Sequence, residues 1–469
     1  MRIFLCLGRW GWLLACLVVQ AASEVTLPDA PWRQLGRTPS SAAAPFARGG
    51  HSATYCDGGL VVFGGRGPSG ELYNDVWRWD LASAAWARMV LSAASEAAPR
   101  ARAFHSAVCA GSELLVFGGS CGTECVLEDI YQLAAAGPAE PMAVTWTQRL
   151  SSAASASRGT PEPRAGHGAV WQPGSNRMLV FGGQILAGAA LLDDVWALST
   201  STSWTLLSAA GAAGAPGGRR DSGIGLLGAS MVVYGGWQGN KLLGDFWEFD
   251  SGARSWTALE NAPHALRGPA VASEPDGKAI AVFGGAGFLD TSGSETDSDT
   301  VMIYSKMTIT TRRSLWELPA NGVGSVPPTR RASAAVWLPA GTLELVVFGG
   351  ERYTTAWGYL GDVWKYDIKQ GRVYAKEYAI YLAKVRKANE AATEDPRAAD
   401  DTIRLELKWL EDLFASLPLW ANGMIVFGIP GFCLCMCICS GLYRQRRRAL
   451  LRKRMEARER ANAEADLAN

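Results

Sequence analysis

The sequence has little histidine and no excess of charge of either sign. Only 4 of its 469 residues are His, and 45 Lys and Arg offset 44 Asp and Glu to a formal net charge of +1. A nearly neutral chain gives no overall field that would attract nucleic acid, so no nucleic-acid partner is predicted. Phosphate-loop motifs, His-Glu-x-x-His pairs and Asn-x-Ser/Thr glycan acceptors are also absent. The sequence therefore lacks the commonest signatures of nucleotide-binding sites and of zinc-protease sites.

Glycine and tryptophan, by contrast, are abundant. The chain contains 53 Gly, 22 Pro and 19 Trp, with 48% hydrophobic and 19% charged residues. This hydrophobic content excludes a disordered chain, and the turn-forming residues favour many short strands joined by tight turns. The composition therefore predicts an all-β fold of the sandwich, barrel or propeller type.

The first residues have the pattern of a signal peptide, which we assign to residues 1–23. Two Arg residues flank the start of an apolar run over residues 10–19, and Ala21-Ala22-Ser23 offers a cleavage site. The alternative is an uncleaved membrane anchor, for which the apolar run is short.

The other end of the chain predicts one transmembrane helix over residues 418–443. Residues 423–443 carry no charge, and a helix of that length crosses about 30 Å of hydrocarbon. The following tail, 444–469, holds nine basic and four acidic residues, which places it in the cytosol by the positive-inside rule. Apolar residues spaced by three and four predict a helical stem over 375–417. We therefore predict a type I single-pass membrane protein with its main domain on the luminal or extracellular side.

The ten cysteines form three groups. Cys6 and Cys16 lie in the signal peptide, and four others lie in the predicted ectodomain, where the compartment is oxidising. Within that second group the short spacing predicts a disulfide between Cys121 and Cys125, with a metal site as the alternative, whereas the state of Cys56 and Cys109 stays open. The third group alternates along the membrane span and fits either reversible S-acylation or packing in lipid: Cys433, Cys435, Cys437 and Cys439.

A sequence unit recurs six times between the two ends. Each unit has an Arg that opens a first strand and an apolar run that ends in Gly-Gly; an Asp-x-aromatic triplet follows in all but the fifth unit, and an isolated Trp in all but the sixth. The glycine pairs are at residues 64–65, 118–119, 182–183, 235–236, 284–285 and 349–350. The isolated tryptophans are Trp86, Trp146, Trp204, Trp256 and Trp316, with Trp32 standing before the first unit. Each unit reads as four antiparallel strands, and six such sheets bury their faces when they pack radially.

These marks resemble the Kelch repeat, and the resemblance covers residues 31–374. It implies a six-bladed Kelch-type β-propeller, in which the strand at Trp32 completes the last blade and closes the ring. The fifth unit departs from the pattern, because Thr300 replaces the Asp and Met302 replaces the aromatic residue.

Galactose oxidase has a similar scaffold and is an enzyme, so a catalytic role has to be tested on the residues. Its copper site needs converging His and Tyr ligands, but here His51, His105 and His167 share one repeat position that becomes Ser222, Ala270 and Ser333 elsewhere. Such a recurring position is typical of a scaffold. We predict no catalytic residues, no metal and no cofactor, and hence no enzyme.

The Arg series is the candidate partner-binding set. It would ring the mouth of the central channel and bind an acidic or carboxylate-bearing partner: Arg48, Arg102, Arg164, Arg219, Arg267 and Arg330. The alternative is that each Arg pairs with the Asp of its own blade, namely Asp75, Asp129, Asp194, Asp245 and Asp362. Loops that differ between blades are further candidates for partner contact: 120–126, 186–192 and the acidic 287–300.

The sequence as a whole predicts a membrane-anchored recognition module that binds an unknown protein or glycan ligand at its loop face. The alternatives are a luminal enzyme that uses the channel mouth and a trafficking adaptor sorted by its basic tail.

Overall fold

The structure is a computed structural model that describes one compact unit within Ser23–Lys384. The described residues are 30–36, 44–93, 95, 98–135, 143–150, 159–186, 190–200, 203–289, 295–305, 316–319, 330, 334–338, 343–353 and 357–377. The predicted signal peptide, transmembrane helix, basic tail and acylation sites lie outside these residues, as does the predicted stem beyond 377. Among the described residues, no helix is both long and apolar enough to cross a membrane.

Strands account for most of the first half of this unit. The first strand, β1 (Trp32–Gly36), belongs to the last blade. Blade 1 contains β2 (Ser52–Cys56), β3 (Gly59–Phe63), β4 (Val76–Asp80) and β5 (Ala85–Arg88). A short strand β6 (Val90–Leu91) then runs parallel to the edge of blade 2, which contains β7 (Ser106–Ala110), β8 (Glu113–Gly122), β9 (Cys125–Ala135) and β10 (Ala143–Leu150). Blade 3 contains β11 (Gly168–Gln172), β12 (Arg177–Phe181), β13 (Val195–Ser199) and β14 (Trp204–Ser208), with a 3-10 turn at Pro173–Ser175.

The second half repeats this arrangement. Blade 4 contains β15 (Gly223–Leu227), β16 (Ser230–Trp237), β17 (Leu242–Asp250) and β18 (Ser255–Ala258). Blade 5 contains β19 (Ala270–Ser273) and β20 (Ala279–Phe283), then a separate hairpin of β21 (Ala286–Leu289) and β22 (Glu295–Asp297), then β23 (Val301–Ser305) and β24 (Trp316–Glu317). Blade 6 contains β25 (Ala334–Trp337), β26 (Glu344–Tyr353) and β27 (Trp357–Asp367), after which residues 368–377 are helical.

The ring closes through the N-terminal strand, as the sequence predicts. Strand β1 pairs antiparallel with β27, with Trp32 opposite Tyr366, and so supplies the outermost strand of blade 6. The innermost strands β2, β7, β11, β15, β19 and β25 contact one another in an unbroken circle. The all-β, six-bladed architecture is therefore confirmed.

Paired glycines join each blade to the next. The first two of them, Gly64 and Gly65, have φ values of 65° and 99°, a left-handed conformation that glycine adopts at little cost. The Gly65 N–H donates to the Arg102 carbonyl of blade 2 at 2.8 Å, and a Cβ on Gly64 would lie 2.7 Å from the same oxygen. The second glycine of every pair makes the equivalent bond to its neighbouring blade, at 2.7–2.9 Å. Residues without positive φ would disrupt these contacts.

The isolated tryptophans fill the space between blades. Each one packs on the aromatic residue that precedes the Gly-Gly of the preceding blade, with ring centroids 5.0–5.8 Å apart. The six pairs are Trp32–Phe283, Trp86–Phe348, Trp146–Phe63, Trp204–Phe117, Trp256–Phe181 and Trp316–Tyr234. Aromatic pairs at this separation add to the stability that burial of their area provides. The lone Trp of each repeat is thus an inter-blade contact, and Trp32 has the same role as the others.

Candidate ligand-binding site

Five of the six predicted arginines form buried ion pairs inside their own blades. The Arg102 guanidinium, which is fully buried, donates through Nη1 and Nη2 to the two carboxylate oxygens of Asp129, at 2.5 and 3.0 Å. Its Nη1 also donates to the carbonyl of Gly118, the first glycine of the pair. The same bidentate arrangement recurs in Arg48–Asp75, Arg164–Asp194, Arg219–Asp245 and Arg330–Asp362. Arg, Gly-Gly and Asp-x-Trp are therefore parts of one network.

The aspartate of this network also accepts a bond from the aromatic residue two positions later. In blade 1 the Trp77 indole N–H donates to Asp75 at 2.7 Å, and blades 3, 4 and 6 repeat this bond. Although burial opposes ionisation, the Arg48 guanidinium lowers the pKa of Asp75, and the pKa values of Asp194 and Asp245 are lowered in the same way. These carboxylates are ionised at neutral pH, and each is neutralised by its own arginine.

Blade 5 lacks this ion pair because both partners are replaced. Leu266, which is fully buried, occupies the position of the arginine, since its carbonyl accepts from Gly236 as the Arg219 carbonyl accepts from Gly183. Thr300 stands opposite, where the other blades have Asp. Losing both charges together avoids a buried carboxylate or guanidinium without a partner.

Arg267 therefore does not belong to the arginine series, and the sequence-based alignment was wrong by one residue in this blade. Arg267 forms an isolated bridge with Ala286, as Arg220 does with Trp237 in blade 4. The same shift puts Pro269, rather than Ala270, at the histidine position, and Pro269 lines the central cavity, as His51 does. Arg267 is thus placed with Arg220 on the channel wall.

The geometry favours the pairing alternative for Arg48, Arg102, Arg164, Arg219 and Arg330. The exposed fractions of these five side chains are 0–2%, and each guanidinium donates to the Asp of its own blade. We therefore do not retain these five as candidate partner-binding residues. Arg267 is retained, because it lines the central cavity.

Three buried histidines, His51, His105 and His167, line that cavity. His105 lies with Nε2 3.0 Å from Ser52 Oγ of blade 1, and His167 with Nε2 2.8 Å from Ser106 Oγ of blade 2. Burial and the nearby Arg48 lower the pKa of His51 to about 3, and burial and Arg164 lower that of His167 to about 3. The pKa of His105 is lowered well below its ordinary value for the same reasons. All three imidazoles are neutral; His105 and His167 bond the preceding blade, and the His51 ring packs on Phe348 of blade 6.

Backbone hydrogen bonds link blades 1 to 5 at the residue directly before the histidine position. In blades 2 to 5 the N–H of one residue donates to the carbonyl of its equivalent in the preceding blade, at 2.7–2.9 Å. These residues all have positive φ: Gly50, Phe104, Gly166, Asp221 and Gly268. Phe104 and Asp221 adopt that conformation without being glycine, which costs about 1 kcal/mol or more for a bulky residue. Non-glycine residues under such strain cluster at functional sites.

The central cavity has a volume of about 440 Å³ and is lined by several charged side chains. Arg66 donates through Nε and Nη2 to both carboxylate oxygens of Glu351, at 2.8 and 2.9 Å. Arg220 bonds Asp221 at 2.6 Å, and the Arg267 guanidinium lies 5.1 Å from the ring centroid of Trp237. The described lining thus has three guanidinium groups and two carboxylates. The charge balance of this lining is therefore positive, and burial raises the pKa of Asp221.

Sequence reasoning missed Arg66, Arg220, Asp221 and Glu351. Arg66 and Glu351 each follow a glycine pair directly, and Arg220 follows the repeated Arg219. The signal that would have revealed them is the change of residue type at these positions from blade to blade, because a position that varies within a strict repeat is free to serve a ligand.

A Gly-x-Ser-x-Gly sequence at residues 118–122 was also overlooked. In hydrolases this pattern places a nucleophilic Ser on a sharp turn between strand and helix. Here Ser120 lies within β8 of a β-hairpin, and its Oγ donates to the Gly122 carbonyl at 2.7 Å. Among the described residues no cluster of three or more His, Cys, Asp or Glu is placed to hold a metal ion. The geometry offers no activated nucleophile at Ser120.

The predicted cysteine pair is bonded in the structure, and so is a second pair. Cys121 and Cys125 close the tip of the β8–β9 hairpin with Cα atoms 5.1 Å apart. Cys56 and Cys109, whose state the sequence left open, link β2 of blade 1 to β7 of blade 2 with Cα atoms 5.5 Å apart. Of the other variable loops, 287–300 includes the β21–β22 hairpin, whereas residues 290–294, with Asp290, lie outside the described part of the chain.

Fold and cavity together define a class: a closed six-bladed β-propeller built from Kelch-type repeats, with a charged axial cavity on its loop face. The family model of the KLHDC2/KLHL20/DRC7 Kelch-repeats domain matches residues 20–158 and 141–308, together more than half of the chain. The chain therefore belongs to this Kelch-repeat family, and its predicted membership is confirmed.

Curated relatives share the repeats at low identity. The chain is 27% identical over 223 residues to the leucine-zipper-like transcriptional regulator 1 homolog of Drosophila melanogaster, covering 47% of this chain and 21% of the relative. It is 32% identical over 147 residues to acyl-CoA-binding domain-containing protein 5 of Arabidopsis thaliana, covering 31% and 20%. It is 25% identical over 228 residues to Kelch domain-containing protein 3 of Rattus norvegicus, covering 46% and 55%. The chain thus spans from a fifth to about half the length of these relatives.

Proposed function

We propose that this propeller is a non-catalytic recognition module that binds a carboxylate-bearing segment of a protein partner in its central cavity. The observation that carries the proposal is the placement of Arg220 and Arg267. They occupy equivalent positions in neighbouring blades, and both line the cavity beside Arg66. Planar guanidinium groups bind carboxylates by paired, charge-assisted hydrogen bonds.

The chemistry of the cavity favours binding over catalysis. Two of its buried imidazoles, His105 and His167, bond serine hydroxyls of neighbouring blades, and the lowered pKa values of all three leave them without the proton that a general acid donates near pH 7. Its two acids are paired with Arg66 and Arg220. These contacts support a rigid, positively biased receptor.

The binding proposal predicts that Arg220→Gln with Arg267→Gln reduces retention of acidic peptides at least tenfold. Each charge-assisted bond to a carboxylate contributes about 1.5–3 kcal/mol, so losing two removes most of the affinity. The full chain is immobilised, a random octapeptide library is passed over it, and retained peptides are identified by mass spectrometry. Arg33→Gln, on the exposed face of the outer strand β1, is the matched control and should behave as wild type.

Two results would contradict this function. One is equal retention of acidic peptides by the Arg220/Arg267 variant and the wild type. The other is retention of neutral glycans with no enrichment of carboxylate-bearing peptides, which would favour a glycan receptor.

We further propose that the propeller is membrane-anchored and lies on the luminal or extracellular side. The signal-peptide pattern over residues 1–23, the uncharged stretch 423–443 and the basic tail support this orientation. Two cysteine pairs positioned for disulfides also fit an oxidising compartment.

Because the chain has no natural glycan acceptor, an introduced one reports its orientation. Ala253→Asn creates Asn-Arg-Ser in the exposed turn between β17 and β18. On expression in eukaryotic cells, the variant should gain mass that an N-glycosidase removes. Adding Ser255→Ala to the same variant should abolish the gain. An Ala253→Asn protein of unmodified mass would contradict a luminal propeller.

A further inference from the structure

A groove runs outward from the central cavity between blades 2 and 3. Its volume is about 130 Å³, and it shares four lining residues with the cavity: Phe104, Gly166, Arg220 and Asp221. One wall is the tip of the β8–β9 hairpin, with Thr123 and Val126. The other wall is the segment after β12, with Gln184 and Leu186. The groove is therefore continuous with the proposed binding cavity.

The two walls differ because their blades differ in length. Strands β8 and β9 stay paired beyond the glycine pair, as far as Gly122 opposite Cys125. In blade 3 the pairing of β12 with β13 ends at Phe181. One wall is thus an extended hairpin clamped by the Cys121–Cys125 bridge, and the other is the segment that follows the end of β12. A clamped hairpin is preorganised, so a ligand that packs on it loses little additional conformational entropy.

Charge is confined to the inner end of the groove. Arg220 and Asp221 lie where it opens into the cavity, whereas the remaining lining residues are uncharged. Leu186 on the outer wall is 40% exposed, which is high for a large aliphatic side chain beside a cavity. A ligand that places an anion near Arg220 would therefore meet apolar and uncharged surface immediately beyond it.

We propose that this groove receives the side chain next to the carboxylate of the bound peptide and selects an uncharged, apolar one. The inference rests on the proposed function, since the carboxylate fixes the register of the peptide. The volume equals roughly four water molecules, which suits one side chain and excludes a folded element. Packing an aliphatic side chain against Val126 and Leu186 contributes about 1.5–3 kcal/mol on full burial, enough for a tenfold preference or more.

The experiment compares two neighbouring substitutions at the hairpin tip. Thr123 and Glu124 form the two-residue turn between β8 and β9 and are both exposed, but only Thr123 lines the groove. The full chain is screened with three hexapeptide libraries: free C-terminal carboxylate, C-terminal amide, and C-terminal amide with one fixed internal Glu. The first and third libraries distinguish a terminal carboxylate from an acidic side chain.

The expected result is that one carboxylate-bearing library is enriched and shows an aliphatic residue beside the carboxylate. Thr123→Trp, which fills the groove, should abolish that side-chain preference and weaken the best peptide at least tenfold. Glu124→Trp should retain the side-chain preference and the affinity for the best peptide. Opening the clamp with Cys121→Ser and Cys125→Ser should weaken the same peptide severalfold while leaving the requirement for a carboxylate.

The outcomes separate the two proposals. Carboxylate-dependent binding with no preference at the neighbouring position, or with Thr123→Trp and Glu124→Trp equivalent to wild type, overturns the groove and leaves the cavity proposal standing. Absence of carboxylate-dependent binding in the wild type overturns both.

Discussion

Replacing Arg102 with Ala is expected to lower the free energy of unfolding by about 3–5 kcal/mol, because it leaves the carboxylate of Asp129 buried without its partner. Asp129 is 6% exposed, and it accepts two of the Arg102 donors. The Gly118 carbonyl also loses a donor in the same substitution. Denaturant unfolding of the full chain, followed by tryptophan fluorescence, measures the loss.

Two comparisons show whether charge burial is the cause. Arg267→Ala, which removes a guanidinium from the cavity wall, should cost less than about 1 kcal/mol. The double substitution Arg102→Leu with Asp129→Thr introduces the residue types that blade 5 has at these two positions. The double variant should be more stable than Arg102→Leu alone. Equal losses for Arg102→Ala and Arg267→Ala, or a double variant less stable than the single, would contradict the scaffold role of the pair.

The fold was accessible from the sequence because each repeated residue has one physical task that recurs in every blade. Gly65 must take positive φ to bond the next blade, and Trp146 must fill the gap beside Phe63. Neither task tolerates many other residue types, so six copies remain recognisable even where spacing varies. Closure of the ring by β1 could be predicted for the same reason. The sixth unit has no isolated Trp of its own, and Trp32, which precedes the first unit, supplies it.

The site was less accessible because its residues do not repeat in every blade. Arg66 and Glu351 each occur in one blade, and the Arg220 position holds Gly or Ala in blades 1 to 3, so strict periodicity cannot identify them. The repeat was even misleading in blade 5, where Arg267 stands one residue after the position that Leu266 fills. Thr300, noted as a departure, was the clue: a missing aspartate implies a missing arginine, since neither charge is stable there alone.

Mild acid is expected to destabilise the propeller well above the pH at which its aspartates titrate. In the unfolded chain the histidines bind protons below about pH 6.5, whereas in the folded chain His51 and His167 stay neutral until about pH 3. As the pH falls below 6.5, the unfolded state therefore binds protons that the folded state does not bind, and this stabilises the unfolded state relative to the folded one. At pH 5 each of these two histidines lowers the free energy of unfolding by about 2 kcal/mol relative to neutral pH. The buried His105 acts in the same direction.

The slope of unfolding free energy against pH isolates this effect from ordinary packing losses. His105→Gln should flatten the slope between pH 6 and 4.5 by about 1.4 kcal/mol per pH unit, whatever it does to stability at pH 7.5. His264→Gln is the matched control, because His264 is only half-buried, and although burial lowers its pKa too, its removal should change the slope less. The carboxylates, including the paired Asp75 and Asp194, are present in every variant and cancel in the comparison. An unchanged slope for His105→Gln would mean that this imidazole accepts a proton in the folded chain. The histidines that line the cavity would then titrate in the folded state, which would contradict their role as neutral contacts between blades.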